Sequence, residues 1–304
     1  MREAGGDAAK SVSDLCLPVL RVIEMRESLL TICVAGAFLG LAGQAMAQGA
    51  APPPATPKPE MGQSCPGLVA NRAPFGAPAK LELAALNSDQ VRITFVGHAT
   101  FLIESPKLVR IATDYNDYVA PPLVPDIVTM NHAHTTHFSM HPDPGIKYVL
   151  RGWAEDQKPA RIDMAYKDVR VRNVPTNIRT FDGGTEFNGN SIFIFETANL
   201  CIVHLGHLHH TLTQTQLDEI GRPDVVLVPV DGNYTLDLDG MIEVLHALKP
   251  RLMIPMHYFS AYTLDRFLSR VRQEWEVEVA EVPSVVVSRT SLPVKPKILV
   301  LPGH

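Results

Sequence analysis

Three apolar, strand-like runs in this chain end in histidines. The runs cover residues 126–130, 200–205 and 252–256, and the histidines that follow them are His132, His134 and His137, then His207, His209 and His210, then His257. Parallel strands bring their carboxyl ends to one edge of a sheet, where open α/β sheets form their ligand crevices. The arrangement predicts a layered α/β domain in which imidazoles from separate strands meet at one site.

Converging imidazoles indicate a bound metal ion. Neutral imidazoles have little reason to crowd together unless a cation binds them, and zinc is the ion most often held by such a set. In an extended segment His132 and His134 point the same way, while the turn that follows lets His137 approach from the other side. The four cysteines include no CxxC pair, which argues against a cysteine-based zinc site. His204 lies within its run, on the same face as Ile202, which favours a hydrogen-bonded core histidine over a ligand.

The remaining periodicity agrees with an α/β fold. Runs rich in β-branched residues predict strands over residues 91–96, 101–104, 109–112, 126–130, 191–196, 200–205, 225–230 and 252–256. Helical spacing predicts helices over residues 213–220 and 238–248 and from about Thr263 onward. Early strands in succession, followed by strands that alternate with helices, indicate a mixed sheet covered by helices.

The first 66 residues are expected to precede the folded domain. Met25 begins a short charged stretch that is followed by an apolar run and by Ala45-Met46-Ala47, so residues 25–47 are predicted to be a signal peptide and residues 1–24 to lie upstream of the true start. The apolar run is shorter than the roughly 20 residues that cross a bilayer, so no stable membrane anchor is expected after cleavage. Residues 48–66 are rich in Pro and Ala and predict a linker. Residues 67–304 then form the domain of a secreted or periplasmic protein.

Two cysteines remain after this cleavage. A secreted protein occupies a compartment in which a disulfide between Cys65 and Cys201 can persist. Alternatively, Cys201 is a small apolar residue within the buried run 200–203, and the sequence favours this second interpretation.

Four segments, taken in order, resemble the opening and metal motifs of the metallo-β-lactamase superfamily. They are residues 91–104 (VRITFVGHATFLIE), 111–114 (IATD), 126–137 (DIVTMNHAHTTH) and 254–258 (IPMHY). The similarity is greatest to its branch of small lactonase-like and phospholipase-like hydrolases. The resemblance implies an αβ/βα sandwich of two mixed sheets covered by helices, a metal site at the edge where the two halves meet, and hydrolysis by a metal-bound hydroxide.

The chain departs from the family pattern at two metal-site carboxylates. Thr136 stands where the Asp of an H-x-H-x-D-H motif is expected, and His207 stands where a strand-end Asp usually bridges two metal ions. A neutral imidazole bridges two cations poorly and does not offset their charge. The sequence therefore predicts one tightly held zinc-type ion, with a second ion weakly bound or absent.

The resemblance assigns roles to individual residues. By position, the metal ligands are His132, His134, His137, His207 and His257. His98, Asp114 and Thr136 match positions beside the ligands, and Asp114 either orients a ligand or caps a turn. Because the family's aspartate is absent, His209 or His210 is predicted to act as the general base.

Together these features predict a secreted metal-dependent hydrolase that acts on a small molecule, an ester, a lactone or a phosphodiester. The alternative is a catalytically inactive metal-binding protein on the same scaffold, since function belongs to the site and not to the fold. The formal net charge of −5 argues against a nucleic-acid partner. Loops over residues 115–125 and 141–158 are expected to set specificity, with aromatic residues that either line a pocket or pack locally: Tyr115, Tyr118, Trp153 and Tyr234.

Overall fold

Two β-sheets and three helices make up residues 86–155 and 158–303, the part of the chain that the computed structural model describes. The strands are β1 (Val91–Gly97), β2 (Thr100–Glu104), β3 (Arg110–Ala112), β4 (Ile127–Met130), β5 (Tyr148–Arg151), β6 (Asp163–Tyr166), β7 (Val169–Arg179), β8 (Thr185–Thr197), β9 (Leu200–His204), β10 (Val225–Pro229), β11 (Leu252–Met256), β12 (Glu276–Val279), β13 (Ser284–Val287) and β14 (Lys297–Val300). The helices are α1 (Gln214–Ile220), α2 (Leu238–Leu248) and α3 (Ala261–Val271).

Both sheets are mixed, and the parallel parts position the histidine-bearing loops. The first sheet has the strand order β13-β1-β2-β3-β4-β5, and the second has the order β12-β14-β11-β10-β9-β8-β7-β6. In the second sheet β9, β10 and β11 are neighbours and run parallel. In the first sheet β4 runs parallel to both β3 and β5. The carboxyl ends of β9, β10 and β11 therefore lie side by side at one edge.

Alternation along the strands divides the apolar side chains between two cores. In β8, Phe193 and Phe195 belong to the core that both sheets share, whereas Ile192 and Ile194 belong to the core under the helices. All three helices contribute to that second core. A smaller cluster lies on the other face of the six-stranded sheet, where loop residues such as Ile146 cover the strands. Within the described residues, no helix contributes to this smaller cluster. The predicted fold class, an α/β sandwich of two mixed sheets with helices, is confirmed.

Polar caps fix where the helices begin. Thr213 caps α1 with its side chain and forms a reciprocal pair of hydrogen bonds with Gln216. Asp237 and Ser260 cap α2 and α3 with their side chains, which accept the backbone N–H groups of Gly240 and Thr263. These boundaries agree with the predicted helices to within about two residues. Within residues 86–155 and 158–303, no helix combines the length and the apolar character that crossing a membrane requires.

Sequence periodicity missed several strands. β5 lies in the stretch that was interpreted as a loop over residues 141–158, and β7 was not recognised although it is eleven residues long. β7 carries Arg170, Arg172 and Asn173, whose polarity conceals its strand pattern. The two arginines donate hydrogen bonds to the buried carboxylate of Glu196 in β8, Arg170 at 3.2 Å and Arg172 at 2.8 Å. This contact explains why two charged residues occur within the strand.

Several predictions concern residues outside the described part of the chain. These are the upstream segment 1–24, the signal peptide 25–47, the linker 48–66, the start of the domain at residue 67, and Cys65. Cys201 is described: it is buried and disulfide-bonded, with a partner outside the described residues. The interpretation of Cys201 as an unpaired apolar residue was therefore wrong.

Candidate functional site

Histidines from separate loops line one open cavity of about 920 Å³ at the edge where the two sheets meet. They are His98, His132, His134, His137, His207, His209 and His257. Six of the seven strand-end histidines singled out in the sequence are thus brought together, and His98 from the β1–β2 turn joins them. His210 is exposed and does not line the cavity.

The most deeply placed group is His98, His137 and His257, here called the deep trio. One potential ligand atom from each lies within 4.8 Å of the others. The Nε2 atoms of His137 and His257 are 3.4 Å apart, and both side chains are almost fully buried. The backbone N–H of His257 donates to the His98 carbonyl oxygen at 2.7 Å, which joins the end of β11 to the β1–β2 turn.

Buried carboxylates lie behind two members of the deep trio. The Asp114 Oδ2 atom is 2.6 Å from His137 Nδ1, and the Asp231 Oδ2 atom is 2.9 Å from His257 Nδ1. The hydrogen bond between His137 Nδ1 and Asp114 favours the tautomer that carries its proton on Nδ1 and leaves a lone pair on Nε2. The Asp231 carboxylate lies at ion-pair distance from His257 Nδ1 and makes no hydrogen bond with it.

Asp231 was not identified from the sequence. Its Oδ1 atom accepts hydrogen bonds from the backbone N–H groups of Asn233, Tyr234 and Thr235, and its Oδ2 atom accepts one from the Thr235 hydroxyl. These bonds fix the carboxylate directly after β10, next to the end of β11. The available signal was an acidic residue that follows the apolar run 225–230 and precedes Gly232.

A second group, here called the outer trio, consists of His132, His134 and His207. Ring centroids are 5.5 Å apart for His132 and His207, and 6.2 Å apart for His132 and His134. His132 Nδ1 lies 2.7 Å from the Gly189 carbonyl oxygen, which requires a proton on Nδ1 and leaves Nε2 free. His134 is exposed, and its Nδ1 atom pairs with the Thr136 hydroxyl at 3.1 Å.

Glycine at position 206 allows His207 to reach the cavity. Gly206 has a φ of +63°, and a Cβ there would lie 2.5 Å from Asn131 Nδ2 and 2.6 Å from Asn190 Oδ1. The same Asn190 oxygen accepts the backbone N–H of His207 at 2.8 Å. The His207 ring is the member of the outer trio that lies next to the deep trio, with its centroid 4.4 Å from that of His137.

The two predicted general bases differ in position. The His209 Nδ1 atom accepts the backbone N–H of Arg179 at 3.0 Å, so neutral His209 carries its proton on Nε2. That Nε2 atom is buried and has no hydrogen-bond partner. His209 lines the cavity, whereas His210 lies outside the residues that line it.

His204 is a core histidine, as its place in the apolar run predicts. It is fully buried, and its Nε2 atom lies 2.8 Å from the Ala99 carbonyl oxygen in the other sheet. Its Nδ1 atom accepts the backbone N–H of Gly206 and lies 3.2 Å from Asn131 Nδ2. His204 therefore connects the β1–β2 turn of one sheet to the strand end that precedes His207.

The cavity wall differs from the one expected from aromatic residues. Tyr234 lines the cavity, but Tyr115, Tyr118 and Trp153 do not, and Trp153 packs against Phe138 instead. The β7–β8 hairpin lines another part of the cavity through Ile178, Arg179, Phe181 and Glu186, and Phe259 lines it beside the rings of His98 and His257. The hairpin residues were not predicted from the sequence, because the period of β7 is obscured by its charged residues.

Burial lowers the pKa of several imidazoles of the site. It lowers the pKa of His98 to about 4, and together with His257 and His98 it lowers the pKa of His137 well below the usual value. Burial raises the pKa of Asp114 to about 6. Burial acts in the same direction on Asp231, but the contacts from His257 and Thr235 outweigh it and hold the pKa of Asp231 below its usual range. The cavity thus presents the uncharged imidazoles of His98 and His137 next to acidic groups, which is a donor set suited to a cation.

The metal-free protein is expected to lose stability as the pH falls from about 7 to about 5. His98, His137 and His207 have lowered pKa values when folded, whereas an unfolded chain protonates histidine near pH 6.5. The unfolded state therefore binds more protons in this window, so the stability present at higher pH is lost on acidification. The raised pKa of Asp114 acts in the opposite direction. Because one carboxyl group opposes three histidines, the net effect is a loss of stability. Urea midpoints measured with excess chelator test the sign, and a midpoint that rises on acidification contradicts the assignment.

Comparisons with known proteins agree on one family. A sequence model described as "Beta-lactamase superfamily domain" matches residues 92–257. A UPF0173 metal-dependent hydrolase of Thermoplasma acidophilum is 26% identical over 190 residues, which cover 56% of this chain and 84% of the relative. A second UPF0173 metal-dependent hydrolase, from Pyrococcus furiosus, is 27% identical over 194 residues, covering 55% of this chain and 84% of the relative.

A solved structure extends the similarity to three dimensions. It comes from Thermotoga maritima and is named as a Zn-dependent hydrolase of the metallo-β-lactamase superfamily. It superimposes with a TM-score of 0.53 and 28% sequence identity, and the match covers 70% of this chain and 100% of that chain.

Proposed function

We propose that this chain, which belongs to the metallo-β-lactamase superfamily and is a metal-dependent hydrolase, cleaves an ester, lactone or phosphodiester bond of a small molecule. The reaction takes place at the histidine-lined cavity. The proposed metal is zinc, with one tightly held ion. The residues proposed to act on the metal or beside it are His98, Asp114, His132, His134, Thr136, His137, His207, Asp231 and His257.

One observation carries the proposal. The Nε2 atoms of His137 and His257 face each other at 3.4 Å, while Asp114 and Asp231 lie against their Nδ1 atoms. Two imidazole nitrogens at this distance can bind one cation between them. Imidazole nitrogens that are backed by carboxylates are typical zinc ligands.

The residues of the chain divide the work of such a reaction. When bound, the metal ion supplies an activated water and polarises the oxygen of the bond under attack. Asp114 holds the ring orientation and the tautomer of His137 through the hydrogen bond at Nδ1, and the Asp231 carboxylate places an acidic group beside His257. The exposed rings of Phe181 and Phe259 provide apolar surface along the cavity for an apolar part of the substrate.

The cavity supports a small-molecule substrate. Its volume of about 920 Å³ lies in the range of pockets that accept drug-sized ligands. Phe181, Tyr234 and Phe259 provide an apolar wall for part of the substrate, and Arg179 and Glu186 provide one charge of each sign. We propose an uncharged or weakly charged substrate with an apolar portion that contacts this wall.

We also propose that the protein is secreted or periplasmic. The support is the signal-peptide pattern of residues 25–47, followed by the Pro- and Ala-rich segment 48–66. Amino-terminal sequencing of the protein recovered from a bacterial periplasm or culture medium tests this, and a mature chain that begins at Gln48 is the expected result.

Removing the metal is expected to abolish hydrolysis reversibly. The purified mature protein is analysed for metal content per chain and then screened against carboxylic esters, lactones and phosphodiesters. Dialysis against a chelator is expected to reduce turnover to the background rate, because no group of the cavity replaces the ion as a source of activated water. Adding back one equivalent of Zn²⁺ is expected to restore turnover.

Two results would overturn the function. Turnover that persists in fully metal-free protein would exclude a metal-dependent reaction. A metal-loaded chain without activity on all three substrate classes would instead favour a metal-binding protein that lacks catalysis. Calcium, which prefers oxygen ligands, serves as the control ion that should not restore activity.

A further inference from the structure

We propose that the tightly held ion is bound by the deep trio, so that His98 is a metal ligand, and that the pair His132 and His134 is not required for tight binding. The inference rests on the proposed function, since it assigns the metal of that same cavity to particular residues. It differs from the assignment by motif, which places His98 behind the ligands and begins the metal site at His132.

The spacing of the deep trio fits a tetrahedral ion. Two nitrogens that each lie about 2.0–2.1 Å from zinc at a tetrahedral angle are about 3.3 Å apart. The Nε2 atoms of His137 and His257 are 3.4 Å apart. A ligand atom of His98 lies within 4.8 Å of both, which a rotation of its side chain can shorten.

The deep trio also has the stronger donors. His137 and His257 each have a buried carboxylate against Nδ1, which raises the basicity of the ring. In the outer trio, His132 contacts a carbonyl oxygen and His134 a hydroxyl, and both of these partners are uncharged. A dication is therefore stabilised more at the deep trio, where Asp114 and Asp231 supply two acidic groups directly behind the ligands.

His98 has no other evident role for its ring. Its Nδ1 atom is buried and has no hydrogen-bond partner. Its ring centroid is 4.4 Å from that of His257 and 5.1 Å from that of His137. An unpartnered buried nitrogen costs free energy, which binding an ion would relieve.

Three of the nine non-glycine residues with a positive φ in the described part of the chain lie at this site. His98, Asp114 and His257 have φ values of 51°, 51° and 54°, in the left-handed region that residues other than glycine seldom adopt. Such conformations persist where the surrounding structure imposes them, and they cluster at functional sites. Here the left-handed conformations orient His98, His257 and Asp114, the acid that contacts His137, towards one point.

The test compares two variants of the full chain. His98→Asn removes the imidazole with little added strain, because Asn tolerates a positive φ. The comparison variant carries His132→Ala and His134→Ala together. Each metal-free protein is titrated with Zn²⁺ in competition with a chelating dye, and separately with Co²⁺, whose visible absorption reports a four-coordinate site.

His98→Asn is expected to weaken tight Zn²⁺ binding by about tenfold or more and to reduce the Co²⁺ absorption. The double variant is expected to lose less Zn²⁺ affinity than His98→Asn and to keep the Co²⁺ absorption of a four-coordinate site. The reverse pattern, tight binding lost in the double variant and retained in His98→Asn, would overturn the inference while leaving the proposed function intact. A wild-type chain that binds neither ion would overturn both. Circular dichroism and the urea midpoint verify folding, and His98→Gln provides a second substitution if the first fails to fold.

Discussion

His257→Ala is expected to remove bound metal from the purified protein and to lower hydrolysis by about two orders of magnitude or more. The His257 side chain is 2% exposed, and its Nε2 atom lies 3.4 Å from that of His137. The substitution removes one imidazole ligand from a cation bound at the deep trio. It also leaves the buried Asp231 carboxylate without the imidazole ring beside it. Metal content per chain and turnover of the best substrate from the screen are the two measurements.

His246→Ala is the matched control for this variant. His246 lies on α2, is exposed, pairs with Glu274 and stacks near Trp275, away from the cavity. The control removes an imidazole of the same size and should retain both metal and activity. Wild-type metal content in folded His257→Ala would show that the ion is held elsewhere and would contradict the proposed site.

Asp231→Asn is expected to weaken Zn²⁺ binding by about 10- to 100-fold with little change in side-chain shape. The Asn oxygen can still accept the backbone N–H groups of Asn233, Tyr234 and Thr235, which places the amide nitrogen opposite His257 Nδ1. An amide N–H there favours the tautomer with the His257 proton on Nε2, where the lone pair is needed. Chelator competition measures the affinity, and the loss of activity should be overcome in part by excess Zn²⁺.

The same chemical change at Asp237 provides the control. Asp237 caps α2 through the backbone N–H of Gly240, is exposed, and lies outside the residues that line the cavity. Asn caps helices about as well as Asp, so Asp237→Asn should match the wild type. An unchanged Zn²⁺ affinity in Asp231→Asn would show that the carboxylate supports the loop but does not orient His257.

The histidines of the cavity could be predicted because strand-end position is a local property. An apolar run followed by histidine fixes which end of a strand the ring occupies, and parallel pairing of β9, β10 and β11 then brings the ends together. The role of Asp231 depends on its distance to His257, which follows only once β10 is known to lie beside β11. The grouping of His98 with His257 likewise depends on a backbone hydrogen bond between different sheets.

The features that the sequence did not predict share this dependence on contacts distant in the sequence. The tautomer of His209 is set by the backbone N–H of Arg179, thirty residues earlier. That contact requires β7, whose charged residues obscure its period until Glu196 is placed beside them. The substrate-facing wall was missed for the same reason, since Arg179, Phe181 and Glu186 belong to this strand, its hairpin and the start of β8.

The hydrogen bond from the His257 backbone to His98 has a consequence for how the protein responds to its environment. Residues far apart in the chain meet there only after both sheets have docked, so the unfolded polypeptide offers no equivalent cluster to a cation. An ion bound there selectively lowers the free energy of the native state, by an amount that grows with the logarithm of its free concentration. Scarcity of the ion would then cost this protein thermal and proteolytic resistance at the same time as catalysis, so metal supply would govern its abundance as well as its activity.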